Sequence, residues 1–362
     1  MLIKKLTFLF FIITLMPSIF ITSEAAVILQ YHHVSDSTPK STSITPQQFE
    51  VHLQHLADEN FNVIPLPILV DALKNKKSLP DKTVAITFDD AYSNILSQAK
   101  PIIDKFNFPY TIFINPKLIS SSSEPYLSWD QITELSNLPN QNVTIANHGL
   151  THDSFARQSK SQSKEEWFKQ QTSNLLLAES IIEEHTGKSF KFFAYPYGEY
   201  TLELQNWLEE NDFIAFTQQS GAAGFDTNLT AIPRFPASQP YDQLESLIDK
   251  LNSLPLDLSM VVTDVNNDQS PITHYNSIED VTFNVKVEDF NRNLLTCYIS
   301  GIGKQEVEWI STDKFTLTFS EPLPVGRVRS NCTAPSIKQS GRFYWFSQPW
   351  FVLNADGSWY PL

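Results

Sequence analysis

Between Val27 and Leu251 short apolar runs alternate with longer stretches of helical spacing. Val27–Tyr31, Thr83–Phe88, Tyr110–Asn115, Val143–Asn147, Lys191–Tyr195, Phe213–Thr217 and Ala231–Arg234 read as buried strands. Pro46–Glu59, Leu66–Lys74, Asn94–Phe106, Trp129–Asn137, Lys164–His185, Leu202–Asn211 and Tyr241–Leu251 read as helices. Strands separated by helices pair in parallel through helical crossovers. The fold class expected is α/β, a distorted (β/α)7-type barrel, with an open doubly wound sheet as the alternative.

The helical period vanishes near residue 260. Asn266-Asn267-Asp268-Gln269-Ser270-Pro271 reads as linker, and the strict alternation of Val281–Val287 and Lys314–Phe319 reads as half-exposed antiparallel strand. The division expected is a barrel over 26–256, a linker over 257–271 and a small all-β, sandwich-like domain over 272–362. Cys297 and Cys332 both fall in that last domain, where they either close one loop or remain two buried thiols. Gly341–Phe351 is densely aromatic, which fits either glycan contact or the filling of a small core.

Residues 1–25 have the form of a secretory leader: Lys4-Lys5, an apolar run from Leu6 to Ile21, then Ser23-Glu24-Ala25 before a cleavage point. No later stretch is long and apolar enough to span a bilayer, so an exported protein is expected, periplasmic or secreted. The net charge of −14 argues against a nucleic-acid partner, whose phosphates require a basic surface.

In a parallel β/α architecture the functional groups collect at the carboxyl ends of the strands. Those ends carry Tyr31-His32-His33, Asp89-Asp90, Asn147-His148-Gly149-Leu150-Thr151-His152, Tyr195-Pro196-Tyr197-Gly198 and Pro233-Arg234. His148 and His152 have the spacing that puts two rings on one side of a helical turn, and two imidazoles with one carboxylate form the ligand set of a catalytic zinc site. A single acid in this place would more simply cap a helix. With two, one can ligate a metal while the other serves as general base. Successive side chains of a strand point to opposite faces, so the pair must lie where the chain leaves the strand. His52 and His55 read as surface or packing residues, His185 as a helix-end residue and His274 as structural.

Thr87-Phe88-Asp89-Asp90, His148 with His152, and Tyr195-Pro196-Tyr197-Gly198 resemble the polysaccharide deacetylase family, carbohydrate esterase family 4. Tyr31-His32, Leu127-Ser128-Trp129-Asp130 and Pro233-Arg234 extend the likeness to the branch that includes the biofilm poly-N-acetylglucosamine deacetylases. The resemblance covers roughly Val27–Leu251. It implies a divalent metal, zinc, held by Asp90, His148 and His152, with Asp89 as base. It also implies His32 as the acid that protonates the leaving amine, with His33 the alternative, and the Tyr197 backbone N–H as oxyanion donor. Ala91 replaces the family's usual glycine. Ala194 stands where many relatives carry an arginine that orients the base, and Arg234 either takes over that task or makes a structural ion pair.

Trp129, Tyr195 and Tyr197 are candidates for a sugar-stacking groove, with Phe225 and Tyr241 weaker ones. The function expected is removal of N-acetyl groups from a β-linked N-acetylglucosamine-type polysaccharide or oligosaccharide. The alternatives are an O-acetyl polysaccharide esterase and a non-catalytic glycan-binding matrix protein.

Overall fold

The computed structural model describes residues 22–119, 125–139, 142–158, 161–261 and 269–362. The first part is a curled parallel sheet wrapped by helices. Its strands are β1 (Ala26–Tyr31), β2 (Thr83–Asp89), β3 (Tyr110–Ile114), β4 (Val143–Asn147), β5 (Phe192–Ala194), β6 (Ile214–Phe216) and β7 (Phe235–Pro236). They run in the order β6-β5-β4-β3-β2-β1-β7, and every pairing is parallel. A parallel bridge from Phe216 to Ile232 draws the two edges together, so the sheet is a nearly closed, distorted barrel. The last run differs from expectation. Regular pairing falls on Phe235–Pro236, and within the expected run Ile232 makes an isolated bridge to Phe216.

Every residue of β1 and β2 is buried, as a parallel sheet covered on both faces requires. The period of two sorts them. Val84, Ile86 and Phe88 pack with Val27, Leu29 and Tyr31 beneath the helices, whereas Ala85 lies with Ile28, Phe113, Ala146 and Ala194 in a separate core. Continuing that second set along β2 gives Thr87 and then Asp89. The helices are Pro46–Asp58, Leu66–Lys74, Lys100–Phe106, Trp129–Ser136, Lys164–Thr186, Leu202–Glu210 and Leu244–Leu251. The third is preceded by a π-helical turn over Ile95–Ala99. Among the described residues no helix is long and apolar enough to cross a membrane.

The second part is mainly sheet. Its strands are β8 (Ser253–Pro255), β9 (Leu258–Val261), β10 (Ile272–His274), β11 (Asp280–Val285), β12 (Thr296–Ile299), β13 (Gly303–Ser311), β14 (Lys314–Thr318), β15 (Gly326–Pro335) and β16 (Phe343–Leu353). The long β13 pairs with β12 through its first residues and with β14 through its last, so the sheet folds over itself. Phe283 and Phe315 from one half share a core with Cys297, Cys332 and Trp350 from the other. Cys297 and Cys332 lie directly opposite each other on β12 and β15 and form a disulfide.

The stretch read as linker is partly strand: β9 pairs antiparallel with β11, and β8 already pairs with β16. The expected leader lies outside the described residues up to position 21. Of its last residues, Thr22–Ser23 pair with Leu79–Pro80 and Ala25 is buried.

Candidate metal centre and active site

Asp89, the last residue of β2, is fully buried with its carboxylate pointing into the barrel. Arg234, equally buried, donates to both of its oxygens, Nη1 to Oδ1 at 2.7 Å and Nη2 to Oδ2 at 2.8 Å. Gln30 Nε2 adds a third donor to Oδ2 at 2.7 Å. The guanidinium is itself fixed by the Thr217 carbonyl and Thr87 Oγ1, and it lies over the Phe113 ring. Burial alone would raise the Asp89 carboxyl, but Arg234 and the nearby imidazoles hold it well below the ordinary range.

A regular strand would turn Asp90 outward. Instead Asp90 and Ala91 adopt left-handed backbone, φ 74° and 57°, which swings the second carboxylate back over the barrel mouth. Ala91, which stands where the family usually has glycine, is one of these left-handed residues, and alanine accepts the conformation at a cost of about 1–2 kcal/mol.

Asp90 Oδ1 lies 3.3 Å from His148 Nε2 and 3.3 Å from His152 Nε2, and one ligand atom from each residue falls within 4.8 Å of the others. His148 Nδ1 is 2.8 Å from the Ala194 carbonyl. A carbonyl can only accept, so the proton is on Nδ1 and a neutral His148 turns the lone pair of Nε2 toward Asp90. Both Nε2 of His148 and Oδ1 of Asp90 are buried without a hydrogen-bond partner. Two acceptors facing each other at this distance call for a cation between them, a proton or a metal. The residues therefore fit a divalent ion with two nitrogen ligands and one oxygen ligand.

The histidine spacing works by another route than the helical turn expected. Residues 148–152 form a loop in which Gly149 has φ 82° and His152 φ 59°. Asn115 Nδ2 ties this loop to β3 by donating to the His148 and Gly149 carbonyls.

The two N-terminal histidines separate cleanly. His32 Nε2 is 3.9 Å from Asp89 Oδ2, and its Nδ1 is buried without a partner. His33 is stacked on Tyr92 at 3.6 Å between centroids and bonded to Asn94. Burial, and next the His32 charge, push His33 down to about 4.

Tyr197 also has left-handed backbone, φ 61°, in the turn Pro196–Gly198, and its ring meets His152 edge-on at 4.6 Å. Tyr195 is not at the surface. It is fully buried and its hydroxyl donates to the Thr230 carbonyl, so it cannot stack on a sugar. Trp129, half-buried, lies flat on His185 at 3.9 Å and packs against the helical core, so one face of its ring is already covered.

The aromatic wall near Asp90 is made instead by Tyr92, stacked on Tyr126 at 5.3 Å. Burial and then the Asp90 charge raise both phenols. Tyr92 follows the acid pair by two residues, and Gln30 is the one polar residue in an otherwise apolar strand. Both were visible signals that motif reading passed over.

Tyr241 is exposed, and Phe225 lines a cavity of about 930 Å³ at the domain boundary that contains none of the candidate metal or catalytic residues. His52 is buried between the Tyr31 hydroxyl and the Asp242 carbonyl, a packing role. The C-terminal aromatics are largely engaged in packing: Trp350 is fully buried, Phe346 meets Phe283, and Trp345 meets Phe235 of the barrel.

Residues 76–215 match the family model described as polysaccharide deacetylase. The poly-beta-1,6-N-acetyl-D-glucosamine N-deacetylase of Staphylococcus epidermidis is 26% identical over 242 residues, 62% of this chain and 82% of that protein. The solved structure of the Streptococcus pyogenes deacetylase PplD in complex with acetate matches with a TM-score of 0.55 at 21% identity, covering 63% of this chain and 98% of that one. IcaB from Ammonifex degensii matches with a TM-score of 0.53 at 22% identity, covering 62% and 97%. At such identities the structural likeness speaks for the fold.

Proposed function

We propose that this chain, whose residues 76–215 match the polysaccharide deacetylase family model, is a deacetylase of that family that removes N-acetyl groups from a β-linked N-acetylglucosamine-type glycan, with zinc held by Asp90, His148 and His152. The observation that carries this reading is the cluster of unpartnered acceptors, Asp90 Oδ1 and His148 Nε2 beside His152, next to the buried Asp89–Arg234 pair.

A bound divalent ion polarises an acetyl carbonyl and acidifies water. The chain's own groups do the rest. Asp89, kept ionised by Arg234 and Gln30, accepts a proton from the attacking water. His32, with Nε2 directed at Asp89, delivers a proton to the leaving amine, a reading supported by the stacking of His33 on Tyr92, away from Asp89. The Tyr197 N–H faces the developing oxyanion. Tyr92, Tyr126 and the Tyr197 ring line the sugar groove in place of Trp129 and Tyr195. The leader form of residues 1–25 supports export, which is where a polymeric glycan would be met.

The test is acetate release from N-acetylglucosamine oligomers by chelator-stripped protein, before and after zinc is restored. Release that requires the metal, and a His148→Ala variant that fails to retain zinc, are the expected results. Release only from O-acetylated glycans would make the protein an esterase. Glycan binding without release from any substrate would make it a binding protein.

A further inference from the structure

The C-terminal domain reaches the rim of this site. Arg327 and Arg329 are two apart on β15 and so project from the same face of the strand. The Arg327 guanidinium lies over the Tyr197 ring at 5.6 Å, and its Nη1 donates to the Tyr197 carbonyl at 3.4 Å. Arg329, half-buried, lines a narrow cleft with Arg327, Tyr197, Gly198 and Gln218.

Neither arginine has a carboxylate partner. Among the described residues the arginine ion pairs are Arg157–Glu199, Arg234–Asp89 and Arg342–Asp81. Of the acids around Tyr197, Asp90 faces His148 and His152, Glu199 is engaged by Arg157, Ser154 and Tyr360, and Asp153 accepts from Thr151. Burial, and next the Arg327 charge, act against the charged form of Arg329.

Arg329 is a partly desolvated cation beside a second, exposed one, an arrangement that is costly without a counter-ion, and a chain of net charge −14 has carboxylates to spare. An oxyanion with bidentate geometry recovers that cost. The place matters as much as the charge. The Tyr197 ring touches His152, so a glycan whose acetamido group sits at the metal cluster passes Tyr197 and meets Arg327 next.

We propose that Arg327 and Arg329 form an anion subsite beside the metal centre, so that the preferred substrate is an N-acetylated glycan carrying carboxylate or phosphate close to the sugar that loses its acetyl group. The proposal rests on the deacetylase reading and narrows its substrate class.

The experiment compares acetate release by the zinc-loaded full chain from neutral N-acetylglucosamine oligomers, oligomers of N-acetylglucosamine alternating with glucuronate, and phosphorylated N-acetylglucosamine oligomers. At least one anionic series should exceed the neutral one in kcat/KM by about tenfold, the equivalent of 1.4 kcal/mol. Whichever series does so identifies the oxyanion. The gap should narrow with added salt and close in Arg327→Ala and Arg329→Ala, while Arg327→Lys retains part of it.

No gap, or a gap that survives in both alanine variants, overturns the proposal. So does an Arg327→Ala variant that slows neutral and anionic substrates alike, the behaviour of a tether between domains. Should no oligomer release acetate, the deacetylase reading falls and calorimetric binding of the two anionic oligomers decides the subsite alone. Affinity for either that is lost in both alanine variants upholds it. Absent or unchanged affinity overturns it.

Discussion

At Asp89 the barrel holds a carboxylate with no exposed surface against a guanidinium with none. Such a pair is not evidence of stability in itself, because removing both ions from water offsets much of their attraction. Breaking it from one side is different, since the remaining charge is left buried and uncompensated. Asp89→Asn should therefore lower unfolding free energy by roughly 3 kcal/mol and acetate release by about a hundredfold or more, while zinc is still bound. Adding Arg234→Met removes the stranded cation. The double variant should regain much of the stability and none of the turnover, as read by denaturant midpoints beside acetate assays. A double variant that regained turnover would show that Asp89 is not the base.

At the scale of the element, the site depends on turns more than on strands. Asp90, Ala91, Gly149, His152 and Tyr197 all have left-handed backbone, and together they bend the ends of β2, β4 and β5 over one opening. This is why the barrel was legible in the sequence and the groove was not. Apolar runs such as Thr83–Phe88 announce buried strands, and Asp89, Asp90, His148 and His152 stand at the ends of such runs. A left-handed alanine, aspartate, histidine or tyrosine announces nothing, so His148 and His152 suggested a helical turn and Tyr195 looked as available as Tyr197. Gly149 is the testable member of the set. A β-carbon there would come within 2.9 Å of Phe155 Cε2, and φ is 82°. Gly149→Ala should cost about 1–2 kcal/mol from backbone strain alone, before the ring is displaced. Zinc affinity should fall with it, because the residue lies between Asn115's two anchoring hydrogen bonds and His152. Unchanged zinc affinity by competition with a chromogenic chelator would show that the loop absorbs the substitution.

Across the whole molecule, residues near Tyr360 return to the face that carries the candidate site. Glu199, two residues after Tyr197, is buried and accepts from Ser154, Arg157 and the Tyr360 hydroxyl. Ser154 lies two residues after His152, so one carboxylate joins the candidate metal-ligand loop, the Tyr197 turn and the C-terminal tail. Arg157 also donates to the Tyr360 carbonyl and is stacked on Tyr360 and Trp359. Tyr200 meets Phe351 of β16 nearby. The sequence periodicity that separated barrel from β domain is silent on such a latch, because it is built from single side chains far apart in the chain. Burial acts to raise Glu199, but the hydrogen bonds from Arg157, Ser154 and Tyr360 hold it below its ordinary value. Tyr360→Phe removes one bond to that charged acceptor, a loss of roughly 1.5–3 kcal/mol if the carboxylate finds no other donor. Ending the chain before Trp359 removes the stacking on Arg157 as well. Both changes should lower kcat, since they loosen the turn that carries Tyr197, and truncation should do so more. Zinc content should hold, because no ligand is touched. A truncated chain with full turnover would mean that the barrel sets the Tyr197 turn unaided and that the tail only joins the domains.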